Sequence, residues 1–120
     1  MIEVIKPLLM NYFSSIHSIE TKYPDYNVVI QTCRGQLLGL VLEKITVGWQ
    51  VALVVGVHLG NGKYKVLRLA KTRGVLEEAL PIMLCKCMDE VESFIVLTPK
   101  LLTELKGAIN KCRGSNLMMN

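Results

Sequence analysis

The sequence predicts an α+β domain: a single four-stranded antiparallel sheet packed against helices, in the order α-β-β-β-β-α-(β)-α. Three observations carry that prediction. Both ends of the chain repeat apolar residues at steps of three and four, the period of an amphipathic helix. The middle, from about residue 26 to 73, is rich in Val, Leu and Ile and is broken by Gly35, Gly48 and Gly62, as strands and their turns require. Finally, 120 residues, 51% of them apolar, can bury one core but not two. Residues 1–114 therefore read as one domain and 115–120, "SNLMMN", as a frayed tail.

The elements follow in order. Ile2, Ile5, Leu8, Leu9, Tyr12, Phe13, Ile16 and Ile19 predict a helix over residues 2–20. Pro7 is tolerable only in a first turn, so the regular part is expected from Lys6. "KYPDY" at 22–26 stops it. Strands are expected at about 26–33 and 37–46, joined at "CRGQ", although Leu37, Leu38, Leu40, Val41 and Ile45 would also suit a short helix. Asn61-Gly62 then marks a two-residue hairpin turn, because both of its central positions need positive φ.

Strict alternation from that turn pairs Val57 with Val66, Val55 with Arg68 and Leu53 with Ala70. One face then carries Val51, Leu53, Val55, Val57 and Leu59 with Tyr64, Val66, Arg68 and Ala70, and reads mostly as core. The other carries Gln50, Ala52, Val54, Gly56 and His58 with Lys65, Leu67, Leu69, Lys71 and Arg73. A three-residue loop with a bulge would exchange the faces.

Beyond the hairpin, Leu80, Leu84, Cys87, Met88 and Val91 share one face of a second helix, with a kink at Pro81 or a start near Leu80. "FIVL" at 94–97 reads as a short strand or extended connector. Thr98 as N-cap and Pro99 at the first helical position open a last helix. Its stripe is Leu101, Leu102, Leu105, Ala108, Ile109 and Cys112, and Gly114 is expected to end it.

Charge is segregated. The net charge of +4 is modest, but no acid occurs from Lys44 to Leu76, where Lys44, Lys63, Lys65, Arg68, Lys71 and Arg73 lie. The next segment reverses this with Glu77, Glu78, Asp89, Glu90 and Glu92. Such a field orients an anionic ligand. On the second hairpin face, Lys65, Lys71 and Arg73 rim an apolar floor of Leu67 and Leu69 beside small residues, with His58 and Lys63 nearby. An apolar floor with a cationic rim suits unstacked bases on a charged backbone, hence sequence-tolerant binding of single-stranded DNA or RNA. The competing reading has another layer cover the floor, leaving the bases as ordinary edge charges.

Chemistry is sparse elsewhere. "GVHLGNGK" lacks the spacing and the terminal Ser/Thr of a phosphate loop, and no serine–histidine–acid set can be read, so a non-enzymatic protein is expected. Cys85 and Cys87 are one residue apart, where zinc sites usually begin with two to four, and His17 and His58 are the only histidines. No metal or cofactor is expected. Cys33, Cys85, Cys87 and Cys112 fit buried thiols, with disulfides plausible in a hyperthermophile. The N-terminus carries Glu3, Lys6 and Pro7 without a cleavage pattern, and the apolar run Val51–Val57 is too short for a bilayer, so a cytoplasmic protein is expected, with no membrane role.

The stretch from Lys63 to Lys100, "KYKVLRLAKTRGVLEEALPIMLCKCMDEVESFIVLTPK", runs a basic strand into a Leu/Ile/Met-periodic helix, then an aromatic, short extended residues and Thr-Pro-basic. This order resembles the ThermoDBP-type single-stranded DNA-binding proteins of hyperthermophilic archaea and their relatives, including viral ones. The resemblance implies a four-stranded antiparallel sheet packed on helices, a cleft with an apolar floor for bases, and oligomerisation. The phosphate contacts would fall on Lys65, Lys71 and Arg73, with Leu67 and Leu69 as floor. The chain departs from the pattern in lacking a long C-terminal zipper and in having only Trp49 and Tyr64 as nearby aromatics, both expected off that face. Homo-oligomerisation is then expected through Leu101, Leu102, Leu105 and Ile109 or through the N-terminal helix. The alternative function is a homo-oligomeric assembly protein with no nucleic-acid role.

Overall fold

Four consecutive hairpins build the frame of the molecule. In the structure, a computed structural model that describes residues 2–22 and 24–119, with side chains through residue 114, helix α1 (Ile2–Met10) leads into strands β1 (Ser18–Lys22), β2 (Asp25–Cys33), β3 (Gln36–Lys44), β4 (Trp49–Gly60) and β5 (Lys63–Gly74). Helices α2 (Leu76–Lys86) and α3 (Pro99–Met119) follow, separated by one 3₁₀ turn at Val91–Ser93. The sheet order is β1-β2-β3-β4-β5 with every neighbouring pair antiparallel. The molecule is thus α+β, with five strands where the sequence predicts four.

The turn chemistry explains the tight hairpins. Arg34 and Gly35 (φ 51° and 76°) join β2 to β3, and Asn61 and Gly62 (53° and 73°) join β4 to β5. Positive φ at both central residues matches the right-handed twist of the flanking strands. Residues 37–46, open between strand and helix, are strand as far as Lys44.

The fifth strand corrects the expectation of a helix to residue 20. Ile16 and Ile19 satisfy a helical period, but Ser18–Lys22 is extended, and as β1 it pairs Ile19 with Val28 and Lys22 with Asp25. The helix ends at Met10 because the following polar groups have better partners elsewhere. The Ser14 backbone N–H and hydroxyl both donate to the Glu104 carboxylate, at 3.0 and 2.9 Å, and Gln31 Nε2 donates to Ser15 Oγ at 2.9 Å. Phe13 is buried from this irregular segment rather than from a helix.

All three helices serve one face of the sheet. Leu38, Leu40 and Leu42 of β3 and Val51, Leu53 and Val55 of β4 form the sheet side of the core. Ile5 and Leu9 from α1, Leu80, Met83 and Leu84 from α2, and Leu101, Leu105, Ala108 and Ile109 from α3 cover them. This corrects the oligomer surface expected on α3: Leu101, Leu105 and Ile109 are core residues, and Leu102 is half-buried against them. The N-terminal helix keeps Ile2, Val4 and Met10 exposed.

Other expectations change at the C-terminal half. "FIVL" forms turns, not a strand, and Gln36 pins it: the Gln36 Nε2 donates to the Val96 carbonyl and its Oε1 accepts from the Thr98 N–H at 2.8 Å. Helix α2 runs through Pro81 from Leu76, and α3 continues through Gly114 to Met119. No helix among the described residues is long and apolar enough to cross a membrane.

Candidate nucleic-acid interface

The face opposite the helices is decided by how β4 and β5 alternate. The Asn-Gly turn starts with Gly60 paired to Lys63, and Leu53 meets Ala70 further along, both as strict alternation requires. Between them the register slips by one residue and then back. His58 pairs with Tyr64, Val57 with Lys65, Val55 with Leu67 and Val54 with Arg68. Leu59 is the extra residue on β4 and Leu69 the extra residue on β5, so two bulges compensate each other.

The physical cause is Arg68. Strict alternation would set it opposite Val55, which is fully buried beneath the helices, and an unpaired guanidinium there is costly. With the bulge at Leu69, Leu67 takes the place opposite Val55 and Arg68 turns to the helix-free face beside Val54. The second bulge at Leu59, next to Gly60 at φ 93°, restores the two-residue turn.

The helix-free face therefore reads along β5 as Tyr64, Val66, Arg68, Lys71 and Arg73, and along β4 as His58, Gly56, Val54, Ala52 and Gln50. β3 adds Leu37, Gly39, Val41 and Glu43, and β2 adds Thr32, Val29, Asn27 and Asp25. Its middle is small or aliphatic. Its β5 side is basic, whereas its acids lie on the central and far strands, Glu43 on β3, Asp25 on β2 and Glu20 on β1, with Lys22 ion-paired to Glu20 at that edge. At one end the Tyr64 and His58 rings meet edge-on with centroids 5.0 Å apart. Tyr64 is 45% and Val66 57% exposed.

The cations are not used up internally. Among the described residues none of Arg68, Lys71 and Arg73 makes an ion pair. Arg73 donates from Nε to Gln50 Oε1 at 2.9 Å, and Gln50 Nε2 reaches Glu43 Oε2 at 3.4 Å, so a neutral amide stands between the guanidinium and the carboxylate. From Arg68 to Arg73 the basic stretch of this face extends about 15 Å at the usual rise per strand residue.

Of the residues expected at the site, Lys71, Arg73 and His58 do share the helix-free face, and Lys63 is exposed at the hairpin tip. Lys65, Leu67 and Leu69 are corrected. Lys65 and Leu67 alternate onto the helix side with Val57 and Val55, and Leu69 packs against the core beside Ala70. The expected apolar floor is supplied instead by Leu37, Val41, Val54 and Val66. Sequence reasoning missed Arg68 and Tyr64. The available signal was that an uninterrupted register would place an arginine in an aliphatic core.

Among the described residues no group of three or more His, Cys, Asp or Glu could hold a metal ion. A cavity of about 360 Å³ lies at the other side of the sheet, lined by Val4, Lys44, Gly48, Trp49, Val75, Leu76 and Glu77. Its one base and one acid, Lys44 and Glu77, make no ion pair among the described residues.

No family model matches the chain, and no curated protein and no solved structure matches it either.

Proposed function

We propose that this protein binds single-stranded nucleic acid, DNA or RNA, non-enzymatically and with little sequence preference, on the helix-free face of its sheet. The observation that carries the reading is the pair of compensating bulges, which gather Arg68, Lys71, Arg73 and Tyr64 on one face beside small and aliphatic residues. The cations would meet phosphates, while Tyr64, His58 and Val66 would take unstacked bases. Such stacking is sequence-tolerant because every base has a π-face.

Fluorescence anisotropy of a labelled oligonucleotide at several salt concentrations tests this. The triple variant Arg68→Ala/Lys71→Ala/Arg73→Ala should bind at least about tenfold more weakly at low salt, for all sequences alike. Its log–log salt slope should fall by about 2, since each single-strand phosphate contact contributes ~0.7. Unchanged affinity and slope in the triple variant would remove the reading.

The alternative, a self-assembling protein with no nucleic-acid role, draws on the exposed Ile2, Val4 and Met10 of α1. Under it, Val4→Glu should dissociate an oligomer in sedimentation equilibrium, and the oligonucleotide should not bind at low salt.

A further inference from the structure

Helices α2 and α3 bring two cysteines together. Cys85 Sγ and Cys112 Sγ are 2.8 Å apart, 27 positions distant in sequence. We propose that Cys85 and Cys112 are an oxidisable pair, which closes to a disulfide and staples α2 to α3 when the protein meets a low-molecular-weight disulfide such as oxidised glutathione.

The packing holds the pair in place. Leu80 and Leu84 from α2 and Leu105, Ala108 and Ile109 from α3 lie in the same core cluster, which fixes how the helices meet. Closing the gap to a disulfide's ~2.05 Å needs less than about 1 Å of travel. The two thiols differ in access. Cys85 is half-buried, whereas Cys112 is fully buried with its sulfur 3.0 Å from the Pro81 carbonyl. Burial, reinforced by the neighbouring Cys85, pushes the Cys112 thiol up to about 12. Cys85 is therefore the thiol that a reagent reaches, and Cys112 the one that resolves. The other two cysteines are placed apart from this exchange: Cys87 Sγ faces the Met83 carbonyl, and Cys33 lies at the end of β2.

The exchange balances in two steps. The Cys85 thiolate attacks one sulfur of oxidised glutathione, forming a mixed disulfide and releasing one glutathione thiolate. Cys112 gives up its proton to a departing thiolate, and its sulfur attacks the Cys85 sulfur, expelling the second glutathione. Two cysteines are oxidised, one glutathione disulfide is reduced to two thiols, and those thiols carry the protons away.

The test is to treat the folded, reduced chain with oxidised glutathione, alkylate the remaining thiols and map tryptic peptides by mass spectrometry. Lys86 stands between Cys85 and Cys87, so cleavage there separates them. The expected product is about two mass units lighter than the reduced chain before alkylation. It joins peptide 74–86 to peptide 112–113, with Cys33 and Cys87 alkylated. Cys112→Ser should instead retain glutathione on Cys85. The bridged natural chain should melt several degrees higher than the reduced one and lose that gain in dithiothreitol, and Cys85→Ser should show no such gain. Four alkylated cysteines, a bridge through Cys33 or Cys87, or glutathione persisting on Cys85 of the natural chain would each overturn the proposal.

Discussion

Val51, Leu53 and Val55 of β4 and their alternating neighbours Ala52 and Val54 are all nearly inaccessible, 0–6% exposed. Only the first three belong to the core between sheet and helices. They are covered by side chains from α1, α2 and α3, brought from distant parts of the chain. Ala52 and Val54 are flanked within the sheet, Ala52 by Lys71 and Val54 by Arg68, while Leu37 lies across Gly56. The difference is one of permanence. Helix-side burial is locked by close packing, but the stems of long cationic side chains can lift when their charged ends find a partner. On the proposed function, a phosphate that draws Arg68 and Lys71 outward would also uncover the aliphatic floor that a base needs.

The largest expected effect tests that contrast directly. Leu53→Ala should cost ~2–5 kcal/mol in chemical denaturation, because it empties a site the helices cannot collapse into. Val54→Ala, one residue on, should cost only about 1 kcal/mol. Equal losses would mean that the two faces are packed alike.

Much of this architecture is legible in the sequence, for reasons tied to particular residues. Asn61-Gly62 announces its turn because positive φ is costly for most other residues, Gly35 marks the β2–β3 turn for the same reason, and Pro99 marks the first turn of α3 because its missing N–H has no partner to lose there. What is not legible depends on competition between distant groups. Ile16 and Ile19 fit a helix as well as a strand until Glu104 and Gln31 engage Ser14 and Ser15. The site fails for a sharper reason: alternation fixes faces only while it is unbroken, and each bulge reverses them. Lys71 and Arg73 lie beyond both bulges and keep their expected face, whereas Lys65 and Leu67 lie between them and do not.

Two glycines grade the open face itself. A methyl added at Gly39 would sit 2.5 Å from the Val28 carbonyl oxygen, which is backbone, whereas one at Gly56 would meet the Leu37 side chain at 2.8 Å. Gly39→Ala should therefore fall at the upper end of the ~1–3 kcal/mol typical of overpacking, and Gly56→Ala at the lower end, because Leu37 can rotate away. A reversed order in denaturation midpoints would show that Leu37 is as fixed as the sheet backbone.

The helix side should also carry an alkaline sensitivity. Burial, with a further contribution from the charge of Glu90, pushes the Cys87 thiol up to about 11. In the unfolded chain a cysteine ionises near ~8.5. Above that pH the folded state holds a proton that the unfolded state has released, so stability falls as pH rises. The contribution should be intact below about pH 8.5 and lost by about pH 11. Cys87→Ala should decline less over this window when midpoints are compared with the natural chain. A steeper decline would mean that the buried thiol is not the source.

The smallest effect separates the faces most cleanly, because it compares two lysines on one strand. Lys71 pairs with Ala52 on the helix-free face, and Lys65 pairs with Val57 on the other. Both are exposed and neither is ion-paired among the described residues, so a uniformly basic strand would treat them alike. A binding face would not. Lys71→Ala should weaken oligonucleotide binding several-fold at low salt and lower the log–log salt slope by about 0.7. Lys65→Ala should leave the slope unchanged, since its ammonium points away from the bound strand. Equal slopes lowered in both variants would shift the interface from the face of the sheet to the β5 edge, where alternation no longer matters.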